Sequence, residues 1–73
     1  MTKGQSLKIV QRSFAHVENA RIIIEYDDIA GCEIIKVYVT EDQIDAAIGD
    51  NGSIPRRAAI ESGMSVEVVL IKN

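Results

Sequence analysis

ARIIIEYDDIAGCEIIKVYV, residues 20–39, is the stretch whose reading decides the fold. It holds two runs of β-branched and aromatic residues, Ala20 to Tyr26 and Cys32 to Val39, separated by Asp27-Asp28-Ile29-Ala30-Gly31. Such side chains fill a pleated surface well, and Asp and Gly supply turn chemistry. The segment therefore predicts an antiparallel β-hairpin. Ile22-Ile23-Ile24 and Ile34-Ile35 place apolar residues on both faces of that hairpin, where a sheet with one wet face would alternate.

Upstream, Leu7 to Phe14 alternates, with Lys8, Val10, Arg12 and Phe14 on one side and Leu7 and Ile9 on the other, and predicts a first strand. Downstream, Thr40-Glu41-Asp42-Gln43 has the form of a capping box and opens a short amphipathic helix carrying Ile44, Ala47 and Ile48, with Gly49 at its end. Gly49-Asp50-Asn51-Gly52 is a turn. Ser53 then caps a second short helix with Pro55 in its first turn and Gly63 closing it. Ser65 to Lys72 alternates again as a last strand. The expected architecture is α+β, in the order β-β-β-α-α-β. It is a small, mostly antiparallel sheet with one or two short helices on one face, a single domain over residues 1–73.

A chain of 73 residues has room for one core and stays marginal unless an interface, metal or disulfide adds to it. Cys32 is the only cysteine and His16 the only histidine, so neither a disulfide within the chain nor a Cys/His zinc site can be built. Cys32 begins a strand and is expected to be buried as a small hydrophobe. Asp27-Asp28 is followed by no ligand series at the spacing of a calcium loop, and His16 has no nucleophile at motif spacing. No catalytic role, cofactor or metal is expected. No apolar run reaches the ~20 residues of a membrane span, and Met1 to Ser6 has no signal-type hydrophobic stretch, so a cytoplasmic location is expected.

Charge is unevenly distributed. Residues 25–50 hold eight carboxylates against the single lysine Lys36, whereas residues 1–24 hold Lys3, Lys8, Arg12 and Arg21 against Glu18. Glu41, Asp42, Asp45 and Asp50 form the expected acidic surface. A surface of that sign disfavours broad nucleic-acid binding and suits either simple solvation or a basic protein partner. One basic feature stands apart. Gly52-Ser53-Ile54-Pro55-Arg56-Arg57 offers a helix N-terminus beside two guanidinium groups, which suits a phosphate or carboxylate as well as it suits neutralising the acidic neighbours. Ser53, Arg56 and Arg57 are the candidate partner- or anion-binding residues.

The same stretch resembles a piece of the AbrB-type transcription factors, in which Gly-x-Ile-Pro precedes a short helix and a Gly-x-x-Val-Glu-Val strand follows. Gly52-Ser53-Ile54-Pro55 and Gly63-Met64-Ser65-Val66-Glu67-Val68 match those pieces, over about a third of the chain. The resemblance implies a small DNA-binding regulator using Lys8, Arg12, Arg21, Arg56 and Arg57. The residues themselves lead first to a different expectation: a non-enzymatic, protein-binding regulator or inhibitor that forms a homodimer through an apolar sheet face. The DNA-binding regulator, or an anion- or nucleotide-binding module, is the alternative.

Overall fold

The computed structural model describes residues 1–72. Its first element is a helix where a strand was expected. Helix α1 spans Lys3–Ser13, and its N-terminus is closed by a reciprocal capping box: Gln5 N–H donates to Thr2 Oγ1 at 3.1 Å, and Thr2 N–H donates to Gln5 Oε1 at 2.8 Å. Leu7, Val10 and Phe14 fall three and four residues apart, which lines up one face of a helix as readily as the alternation suggested a strand. Val10 and Phe14 are buried by that face, and the chain then folds back at Val17 into the sheet. Thr2→Ala should lower stability by about 1 kcal/mol through loss of this cap. An unchanged denaturation midpoint would show that the first turn is frayed in solution.

The hairpin forms as expected. Strands β1 (Arg21–Asp27) and β2 (Cys32–Val39) pair antiparallel from Arg21↔Tyr38 to Asp27↔Cys32. Asp27 holds the turn: its carboxylate accepts from Ala30 N–H at 3.0 Å and its carbonyl from Gly31 N–H at 2.8 Å. Strand β3 (Val66–Leu70) lies on the other side of β2, and its pairing is parallel, from Ile35↔Val66 to Val39↔Leu70. The sheet is thus mixed, in the order β1-β2-β3. Between β2 and β3 the chain makes a crossover through a short 3₁₀ turn (Glu41–Gln43), helix α2 (Ile44–Ile48), a second 3₁₀ turn (Asp50–Gly52) and helix α3 (Ser53–Ser62). A connection of that length is what a parallel strand pair requires.

The period of two in the strands sorts the residues onto two faces. Ile22 and Ile24 of β1, Ile35, Val37 and Val39 of β2, and Val66 and Val68 of β3 join Val10, Phe14, Val17, Ala47 and Ala58 in one core. All three helices therefore belong to a single layer on that face. Ser6 of α1 and Ser62 of α3 are both buried, and the Ser6 hydroxyl donates to Ser62 C=O at 2.7 Å, so the two helices approach closely with their polar atoms satisfied. Gly63 ends α3 in the left-handed conformation and donates to Ala59 C=O at 3.0 Å.

The opposite face has no helix among the described residues. Ile23, Ile34 and Val69 lie there, outside the main core and interspersed with Arg21, Glu25, Lys36, Tyr38 and Glu67. Ile34 is nonetheless only 4% exposed. Long polar side chains close over it: Lys36 Nζ lies 3.7 Å from Asp27 Oδ1, and the Tyr38 hydroxyl donates to the Glu25 carboxylate. That hydrogen bond, followed by partial burial, holds the Tyr38 phenol above its ordinary pKa. The two-sided apolar pattern is real, but its second face is dressed in charged side chains.

Candidate functional site

The crossover brings α2 and α3 together at Gly49-Asp50-Asn51-Gly52. Three of its four residues have positive φ: Gly49 at 69°, Asn51 at 54° and Gly52 at 75°. Asn tolerates the left-handed region through its short polar side chain, and glycine carries no Cβ to clash. Gly49 has a second constraint. A Cβ there would stand 2.9 Å from both Cγ1 and Cδ1 of Ile54, the α3 side chain that packs against the core. The loop is therefore seated on the start of α3.

The expected caps are absent. Thr40 makes no cap: its hydroxyl donates to Asp42 Oδ1 at 2.5 Å, within an exposed stretch. That bond, with a second from Gln43, holds the Asp42 carboxyl below its ordinary pKa. Ser53 is the first residue of α3 and not its cap; the cap position is Gly52, with no side-chain partner. In the first turn of α3, Ser53 N–H already donates to Asp50 C=O and Pro55 has no N–H, so the helix start gains no side-chain cap and offers little more than the Ile54 N–H.

The candidate binding residues divide. Arg56 reaches back over the loop, where its guanidinium donates to Asn51 C=O. Arg57 points the other way and, with Ser53, lines a cavity of about 320 Å³ shared with Ser13, Ile54 and Glu61. Both arginines are exposed. Arg12 of α1 lies next to this region, in a depression with Ile9, Ser13 and Glu61. The structure thus keeps the three residues close in sequence at one helix start, with the arginines on different sides of it.

Glu41, Asp42, Asp45 and Asp50 are all exposed, as expected of an acidic surface. Glu41 and Asp42 border a depression with Leu70, Ile71 and Lys72 at the end of β3, while Asp45 sits on α2 and Asp50 in the loop itself. Asp50 thus lies within the loop and Asp45 on the helix before it, while Glu41 and Asp42 stand at the other end of α2 and the guanidinium groups lie on the α3 side. The α1–β1 connection braces α2: His16 Nε2 hydrogen-bonds Ala46 C=O at 2.8 Å, and Glu18 N–H donates to Gln43 Oε1 at 3.3 Å. Cys32 is exposed, contrary to the expected burial. Among the described residues no group of three His, Cys, Asp or Glu side chains is placed to hold a metal, and no helix is long and apolar enough to cross a membrane.

Gly49 and Gly52 are the positions that the reading of residue types passed over, because each was assigned a local task as helix end or turn. The available signal was their spacing, Gly-x-x-Gly between two helices. Compared with protein-family models and with curated proteins, the sequence finds no match in either. The likeness to AbrB-type regulators rests on its short motifs alone, which here enter α3 and β3.

Proposed function

We propose that the protein is a small non-catalytic binding module that takes a single-stranded nucleic-acid backbone at Gly49–Gly52. The observation that supports this most is the Gly-x-x-Gly loop opening onto the uncapped start of α3. A Gly-x-x-Gly loop is the element with which KH modules clamp the backbone of about four nucleotides. The physical reasons apply directly here. Glycines let a sugar–phosphate chain approach the backbone closely, the α3 dipole favours an anion near its start, and Arg56 and Arg57 supply positive charge on either side of that start. Asp50 works against it, so binding is weak and falls as salt rises. The lone exposed thiol of Cys32 suits a reducing cytoplasm.

Fluorescence anisotropy with short single-stranded RNA and DNA tests the proposal. Arg56→Ala combined with Arg57→Ala should weaken binding, and Asp50→Lys should strengthen it about ten-fold, since a two-unit charge change acts a few ångströms from a phosphate. Binding that ignores all three substitutions would overturn the reading.

A second reading is favoured by the acidic side of the loop. Glu41, Asp42, Asp45 and Asp50 would suit a basic protein, making the chain a protein-binding regulator or inhibitor. The same variant separates the two, because Asp50→Lys should weaken a basic protein partner while strengthening a nucleic acid.

A further inference from the structure

The outer edge of β1 is unpaired: the sheet order is β1-β2-β3, and β1 pairs only with β2. An exposed strand edge is a template for another strand, and natural chains usually blunt it with short length, proline, a bulge or charged side chains. The first three are absent from β1, which runs for seven residues in unbroken register against β2, and its charged residues, Arg21, Glu25 and Asp27, are of both signs.

The sequence of that edge is complementary to itself. When β1 is laid antiparallel against a second copy with Ile24 on the two-fold axis, Arg21 faces Asp27, Ile22 faces Tyr26 and Ile23 faces Glu25. Residues that face each other then lie on the same side of the sheet in both copies, so the two helix layers stay on one face of a continuous six-stranded sheet. The opposite charges of Arg21 and Asp27 meet twice, once on each side of the axis. Tyr26, a large side chain left 60% exposed on the helix-covered face, gains an isoleucine partner. The other free edge is shorter, since β3 is five residues long, and centred on Val68 it would bring no pair of opposite charges together.

We infer that the chain forms a symmetric dimer by antiparallel pairing of β1 with β1 of a second copy, centred on Ile24. The interface is the strand edge and not the apolar sheet face, and it leaves the Gly49–Gly52 loops of both copies uncovered. The inference stands independently of what the loop binds.

Sedimentation equilibrium of the unmodified chain should show a dimer at micromolar concentration. Arg21→Glu places like charges opposite each other at two symmetric points and should weaken association about ten-fold or more. Tyr26→Lys, at an exposed side chain, is a second variant with the same expected direction. Glu67→Lys, on the third strand, should leave association unchanged. Spin labels on the native Cys32, the residue paired with Asp27, report the register: two strand positions ten or so ångströms either side of the axis and three inter-strand steps apart give a backbone separation of about 25 Å. A monomer throughout, association insensitive to both β1 variants, or a label separation near 31 Å (pairing centred on Ile23) would overturn the proposed interface.

Discussion

Phe14→Ala is expected to lower the free energy of unfolding by about 3–5 kcal/mol, the largest effect of any single side chain in this chain. Phe14 is the only phenylalanine, is 1% exposed, and stands at the C-terminal cap of α1, where the helix hands over to the turn that leads into β1. Its ring packs in the cluster with Val10, Val17, Ile35 and Val37 and so joins the helix layer to the central strand. Truncation removes transfer free energy and leaves a cavity that neighbours on a three-stranded sheet cannot close. A domain of this size has roughly 4–11 kcal/mol in total, so the variant should be partly unfolded at room temperature. Chemical denaturation of both proteins measures it. A loss below about 1 kcal/mol would mean that α1 is not docked on the sheet in solution.

Gly49→Ala should cost about 3 kcal/mol, from two sources that add. With φ 69° and ψ −164°, Gly49 occupies a region that is essentially closed to any residue with a Cβ. The new methyl would also meet Ile54 at 2.9 Å. Gly63 provides the control. It too has positive φ, 71°, but with ψ at 13°, an ordinary left-handed cap, and nothing lies within 4 Å of a Cβ there. Gly63→Ala should cost only about 1 kcal/mol. Equal losses at the two positions would show that neither the backbone conformation of Gly49 nor its contact with Ile54 adds a cost. If Gly49→Ala remains folded, the displaced loop should also lose whatever it binds, even though no contacting side chain has been removed.

The candidate site was only partly legible in the residues. Arg56, Arg57 and the four carboxylates stand out as charges, and their exposure follows from the cost of burying them. What they flank is a backbone feature. The Gly49–Gly52 loop has few side chains to announce it, and its conformation depends on Ile54 beneath it. Thr40 misled for a related reason: Thr-x-x-Gln has the form of a capping box, but the hydroxyl is turned toward Asp42, to which it donates, and accepts from no N–H of the helix end. The working box was at Thr2 and Gln5, where no such competitor follows.

By itself the sequence determined the hairpin, both crossover helices and the last strand, because each rests on local physics: β-branched runs, Asp and Gly at turns, a proline in a first turn, a glycine at a helix end. Tertiary structure decided the rest. Over Leu7 to Phe14 a period of two and a period of 3.6 can both be drawn, and the helix prevails because its apolar face fits the sheet while Ser6 meets Ser62. Alternation in β3 has no direction, so its parallel pairing was set by the crossover that carries the chain back along β2. At Gly49, likewise, the residue types show a turn but not that Ile54 of the following helix lies where a Cβ would stand. Local chemistry specifies elements; which face is covered, which edge is free and where the backbone lies bare are properties of their packing.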